Sequence, residues 1–525
     1  MLLPQPRSVT YDQGRFTVAE TDTVDGPPEL AAVVRRLLSP GTGLELPIGP
    51  GGRIRIDVDR TLPPEGYRLN VTPASLTIEA ADATGVGWAV QTLRQLLPPA
   101  TLLPGSRVRP LHVPAVRIED APRFAWRGLH LDTGRHFAPV SDLFRFVDLL
   151  ALHKFNVFHL HLTDDQGWRF ESRRHPRLQE VASWRRETRR PSEETGDGTP
   201  HGGFYRQDQL RALVNYAAER GITVVPELEF PGHARALLAA YPELGNHPEA
   251  PQAAATTFGI FDEVLNLDDD AMDLVFDLYE ELLDVFPSRY VHIGGDECPR
   301  VEWLQSPRAA ELAAHRGLTD PAQLQRWFTE QLRQWLAHRG RVAVGWDEII
   351  DQGPLPGAVA MAWRGAAIGV RAAEQGMDVV MAPTSRTYFD YYGGDNADEP
   401  YRIGGLLTTP TVYAFDPLED VPAEVSDRIL GVQGQLWTEY LPTPRDVDYA
   451  AFPRACALAE VAWSDPQGRS WSEFEPRLAA HLERLDVLGV NYRPEEGPRS
   501  WQRGGTGHLA RVAGQPDPSP EAHDA

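Results

Sequence analysis

Residues 289–300 read "RYVHIGGDECPR". A short apolar strand runs into two glycines and then into two adjacent carboxylates, Asp296 and Glu297. Like charges side by side repel, and in a partly desolvated place at least one keeps its proton. A chain tolerates that where the perturbation has a use. Read outward from this stretch, the same pattern recurs. The segments "GLHLD", "NVFHLHL", "ITVVPELE", "RYVHIGG", "VAVGW", "AVAMAW", "DVVMAP" and "VQGQLW" have strand character, and helical apolar spacing appears between them at 141–154, 207–220, 271–286 and 321–339. Alternating strands and helices specify parallel β/α architecture, and eight such strands predict a (β/α)8 TIM barrel. The link between the fifth and sixth strands is short and the one after "DVVMAP" is long and irregular, so the helices there are expected to be stunted. A doubly wound sheet is the alternative, because periodicity does not report closure.

Outside the barrel, residues 1–118 read as a smaller α+β domain. "RIRIDVD", "GYRLNVT" and "SLTIEAAD" are its strands, "GVGWAVQTLRQLL" a helix, and the Pro-rich "LHVPAVRIEDAPRF" its boundary. The barrel then occupies 119–490, and 491–525 reads as a polar tail with little reason to fold. The excess of 74 Asp+Glu over 51 Lys+Arg gives a formal charge of −23, which repels phosphate backbones and anionic membranes. Nucleic acid and membrane are therefore not expected partners. Cys298 and Cys456 cannot make a metal cage or a disulfide framework. The opening "MLLPQPRSVTYDQGRF" lacks the basic and apolar regions of a signal peptide, which predicts a cytoplasmic protein, or a secreted one if a leader has been removed.

In such a barrel the reacting groups sit at the C-terminal strand ends. Those ends carry, in order, Asp132 and Arg135; Asp164, Asp165 and Trp168; Glu227, Glu229 and His233; Asp296 and Glu297; Trp346, Asp347 and Glu348; Trp363 and Arg364; Tyr388 and Asp390; Trp437 and Glu439. Carboxylates among tryptophans suit a sugar, because aromatic faces match pyranose C–H faces and carboxylates accept hydroxyl protons. A phosphate pocket would want Lys, Arg or glycine-rich helix starts. Taken singly, each residue has a plainer role: an Asp-Glu pair on a solvated face, a tryptophan in the core, "LTDDQGW" as a turn with a helix cap. Their joint placement carries the argument. No H-E-x-x-H or calcium-loop spacing is present, so no metal is expected.

The stretches "RGLHLDTGRHF", "HLHLTDDQGWRFE", "PELEFPGHARA", "HIGGDECPR", "GWDEI", "MAWRG" and "LWTEYL" resemble the β-N-acetylhexosaminidases of glycoside hydrolase family 20, in the same order. The N-terminal unit resembles the non-catalytic domain that precedes the barrel there. The resemblance implies an exo-acting retaining glycosidase that removes terminal β-linked N-acetylglucosamine, with N-acetylgalactosamine as the alternative epimer left open, from oligosaccharides or glycoconjugates, and needs no cofactor. Ordinary retaining enzymes place two carboxylates across the bond, whereas family 20 takes its nucleophile from the substrate's 2-acetamido group through an oxazolinium ion. It further implies Glu297 as general acid and base, Asp296 orienting the acetamide, and Asp164 and His233 as a relay supporting Glu297. Tyr388 would bond the acetamide oxygen, Trp346 and Trp363 enclose the acetyl group, and Trp437 lie under the ring. Arg135, Asp390 and Glu439 would bind hydroxyls. The chain departs from the family in "YYGGDNADEPYRIGGLLTTPTVYAFDP", where some relatives carry another tryptophan and only Tyr413 is at hand for that wall. A lacto-N-biosidase-like hydrolase that releases a disaccharide and an inactive sugar-binding protein are the alternatives.

Overall fold

The computed structural model describes residues 1–190, 193–250 and 253–503. Strand β1 (Ser8–Val18) opens an N-terminal unit that continues with β2 (Ile54–Val58), β3 (Tyr67–Val71), β4 (Leu76–Ala80) and β5 (Leu111–Asp120). They form one sheet in the order β1-β5-β3-β4-β2, with the short segment Val24–Asp25 at the far edge. Helices Pro28–Thr42 and Ala83–Leu96 share a buried core with this sheet, into which Trp463 of the second unit also packs. The Pro-rich boundary expected at 111–124 is therefore largely a strand, lying between β1 and β3. Pro114 sits opposite Arg15, beside the shift in register between Tyr11 and Arg15, and such an irregularity is where a strand accepts proline.

The second unit is a closed barrel of eight parallel strands: β6 (Trp126–Asp132), β7 (Val157–His161), β8 (Thr223–Glu227), β9 (Tyr290–His292), β10 (Val342–Trp346), β11 (Val359–Ala362), β12 (Asp378–Met381) and β13 (Ile429–Gly434). β13 closes on β6 with Gly431 opposite Trp126. All eight expected strands are present, and closure removes the doubly wound alternative. Side chains alternate along each strand. In β7, Phe158 and Leu160 join the core under the helices, while Val157 joins the barrel interior with Val344, Trp346 and Met361. Between β10 and β11 there is only a single 3-10 turn, Asp347–Ile350, as the short link predicts. After β12 come short helices at Thr384–Thr387 and Thr409–Tyr413.

Residues 491–503, within the expected tail, pack against the barrel unit. Asn491, Tyr492, Arg493 and Gln502 are buried, and Arg493 pairs with Glu399 at 2.7 Å. Residues 504–525 lie outside the described residues. Among the described residues no helix is long and apolar enough to cross a membrane.

Candidate active site

The link after β9 is built by its glycines. Gly294 and Gly295 have φ of +63° and +99°, which a side chain resists. A Cβ on Gly294 would stand 1.9 Å from Oε2 of Glu229. The Gly295 N–H donates to Glu229 Oε1 at 2.8 Å. Burial, with Asp296 and Glu227 adding, holds the Glu229 carboxyl well above the usual range beneath the turn. The turn delivers Asp296 and Glu297 to the mouth of the barrel.

Glu297 itself has φ +46°, as does His233, which follows β8. Two non-glycine residues in the left-handed region at one site mark strain kept for a purpose. They face each other, with His233 Nε2 3.5 Å from Glu297 Oε2 and 3.8 Å from Asp296 Oδ2. On its other side the His233 Nδ1–H donates to Asp165 Oδ2 at 2.8 Å, while Asp164 Oδ1 is 3.6 Å away. The relay expected between Asp164 and His233 thus runs through the neighbouring Asp165. Burial opposes a charge on His233, but Asp164, Asp165 and Glu297 outweigh it and raise its pKa well above the ordinary value. His233, Asp296 and Glu297 also bring ligand atoms within 4.8 Å of one another, although the same carboxylates favour the protonated ring, which offers no lone pair.

Asp164 instead takes Arg135, with Nη1 2.9 Å from its Oδ2, and His161, with Nε2 2.9 Å from the same oxygen. Burial works against its ionisation, yet Arg135 and the two histidines bring its pKa down to about 2. The Arg135 guanidinium lies 4.8 Å over the Trp437 ring.

These elements enclose a cavity of about 400 Å³. Arg135, Asp296, Glu297, Trp346, Trp363, Tyr388, Asp390, Trp437 and Glu439 all line it. Asp164 and His233 stand behind this lining. Trp363 and Tyr388 stack at 6.2 Å, and the Trp363 indole N–H donates to Glu348 at 3.0 Å. Trp346 and Trp437 meet at 5.5 Å. Asp390 is buried with Oδ1 lacking a hydrogen-bond partner among the described residues, and burial together with Glu439 holds its carboxyl high. Burial lifts Glu439 to about 7 against the pull of Arg135. Asp296 is also raised, by burial and then by Glu297 against the opposing pull of His233.

Tyr413 does not supply the missing wall. It is buried, stacks on Phe474 at 4.3 Å and bonds Glu460 at 3.2 Å. Ile260 and Ile403, both exposed, with Phe258, Tyr391 and Tyr440, line the cavity instead. They come from loops remote in sequence, with no spacing that ties them together. Cys298 is half-buried, and burial pushes its thiol up to about 12.

With the geometry in hand, likenesses to known proteins bear on it. Residues 124–466 match the family model described as glycosyl hydrolase family 20, catalytic domain, and residues 1–121 match glycosyl hydrolase family 20, domain 2. A beta-hexosaminidase of Porphyromonas gingivalis is 39% identical over 505 residues, which is 94% of this chain and 64% of that protein. A beta-N-acetylhexosaminidase of Cellulomonas fimi is 35% identical over 510 residues, covering 94% of this chain and 95% of its own length. The structure of a GH20 exo beta-N-acetylglucosaminidase from Vibrio harveyi, in complex with N-acetylglucosamine, superposes with a TM-score of 0.83 at 32% identity, over 94% of this chain and 78% of that one.

Proposed function

This chain belongs to glycosyl hydrolase family 20, and from that premise we propose that it is an exo-acting β-N-acetylhexosaminidase removing terminal β-linked N-acetylglucosamine with the substrate's own acetamide as nucleophile. The Vibrio harveyi relative, whose structure holds N-acetylglucosamine, supports this choice of sugar. One observation carries the mechanism: Asp296 and Glu297 line the same cavity as consecutive residues. Their Cα atoms are about 3.8 Å apart along one chain, so both carboxylates come from a single turn, whereas the acid and nucleophile of ordinary retaining enzymes flank the bond.

Glu297 then protonates the leaving oxygen and afterwards takes a proton from the attacking water. His233, charged and 3.5 Å from Glu297, steadies the carboxylate that remains after proton transfer. Asp296 accepts the acetamide N–H and, as the carbonyl oxygen attacks the anomeric carbon, stabilises the positive charge that spreads onto that nitrogen. Its raised pKa in the free site makes the substrate's N–H a favourable partner for the ionised form. Trp346, Trp363 and Tyr388 surround the acetyl group, and Arg135, Asp390 and Glu439 hold the hydroxyls of the terminal ring over Trp437.

The test is hydrolysis of 4-nitrophenyl 2-acetamido-2-deoxy-β-D-glucopyranoside beside the plain β-D-glucopyranoside, in buffer with a chelator. Turnover of the first alone is expected. Turnover of both would require a protein nucleophile, and turnover of neither would leave a disaccharide-releasing or binding role.

A further inference from the structure

Glu227 ends β8 beneath the cavity floor, fully buried and outside the residues assigned so far. Four nitrogens converge on its carboxylate. His292 Nδ1 lies 2.7 Å and the Trp346 indole nitrogen 2.9 Å from Oε1. His159 Nε2 lies 3.1 Å from Oε2, and the His161 Nδ1–H donates to that same oxygen. Burial alone would keep this group neutral, but His292 and His161, with a hydrogen bond from His159, outweigh it and hold its pKa well below the usual carboxylate range. A buried charge is costly to keep for packing alone.

Two of the contacts lead upward to the pocket. One goes straight to Trp346, whose ring lines the cavity. The other runs through His161 to Asp164 and on to Arg135 over Trp437. We propose that Glu227 is a positioning residue for the terminal-sugar site, fixing the indole plane of Trp346 directly and the guanidinium of Arg135 through His161 and Asp164. The proposal rests on reading the cavity as a sugar site.

The second arm works only while His161 is an imidazolium. Its two nitrogens face two carboxylates, and an ionised carboxylate only accepts, so both nitrogens must carry protons. Burial opposes this, yet Glu227 and Asp164, with Asp132 from β6 adding, raise its pKa to about 10. The other titratable groups against it are His159 of its own strand and His130 of β6, both held neutral by burial. Removing the charge of Glu227 takes away the foremost of the interactions that favour the proton, so the arm should loosen as pH rises.

The experiment is calorimetric binding of N-acetylglucosamine to wild type and Glu227→Gln from pH 6 to pH 9, expressed as the ratio of the two dissociation constants so that titration of Glu439 cancels. The ratio is expected to climb from a few-fold to about a hundredfold across that range, the scale of loss that a misplaced positioning group produces. A ratio of one throughout, or one that is large but independent of pH as a purely structural defect would give, overturns the proposal. If Glu227→Gln does not fold, His161→Gln takes its place. That variant keeps hydrogen bonding but cannot titrate, so weaker binding by a constant factor is expected and wild-type binding would refute the second arm. Failure of the wild type to bind the sugar would count against the sugar-site reading itself, a different outcome from any of these.

Discussion

Two buried charge networks divide this molecule. At the junction of the N-terminal sheet and the barrel, Lys154 Nζ donates to Asp120 at 2.8 Å and to Tyr67 at 2.9 Å. Asp120 also accepts from Tyr67 at 2.7 Å and from the Trp463 indole at 2.9 Å. That network is closed, with a protein partner for each of these polar atoms. The network under the cavity is open: Arg135 Nε, His233 Nε2, Asp296 Oδ1 and Asp390 Oδ1 are buried without a hydrogen bond among the described residues. Unsatisfied buried polar groups destabilise a fold, so a chain that satisfies them at one place and not at another is assigning stability to the first and recognition to the second.

The contrast can be broken at several points. The largest effect is expected at Glu297. Replacing it with Gln should cut turnover of a disaccharide substrate about 10³- to 10⁴-fold, the upper range for a general acid, and much less on an activated aryl glycoside. Equal losses on both would remove its role. Lys154→Met should lower the unfolding free energy by about 3–5 kcal/mol, because it removes the cationic partner of the buried Asp120, while kcat and KM stay within about twofold of wild type by the same separation of networks. A loss of activity without loss of stability would contradict the division. Asp296→Asn should reduce kcat about 10²- to 10³-fold, as removal of one transition-state partner does, with KM little changed; a change confined to KM would deny it a part in the chemistry.

A more gradual effect concerns pH. His161 is held at about 10 in the fold, above its unfolded value, so its contribution is complete at and below the unfolded value of about 6.5 and is lost as pH rises through the folded one. Between these values stability should fall by up to about 1.4 kcal/mol per pH unit from this group alone. Asp164, held at about 2, acts at the other end: its contribution is present above its unfolded value and lost as pH falls through 2. Denaturant unfolding across pH would show a downward alkaline slope, smaller in Glu227→Gln; identical slopes in both proteins would break the link between Glu227 and His161.

Much of this was legible in the residues. Each barrel strand announced itself because a buried parallel strand is a short apolar run bounded by helical spacing, and most strand ends carried, within a few positions, a residue that lines the cavity. β1 was missed because most of its residues are exposed, leaving no apolar alternation. β5 was missed because prolines mark boundaries more often than strand interiors. Asp164 and Asp165 are adjacent in a turn, and only three dimensions decide which one His233 meets. Glu227 had a usable signal: His159 and His161 stand two apart in one strand and so point into the barrel together, where histidines demand a partner. Ile260 and Ile403 had none, since loop positions obey no period.

The most direct test of the account uses 4-nitrophenyl β-glycosides whose 2-acetamido group carries none, one, two or three fluorines. Fluorine withdraws electron density from the carbonyl oxygen while barely altering the leaving group. If that oxygen is the nucleophile, kcat/KM will fall steeply with each fluorine added. Rates that stay level across the series would mean that the protein supplies the nucleophile, contradicting the role assigned to Asp296 and Glu297.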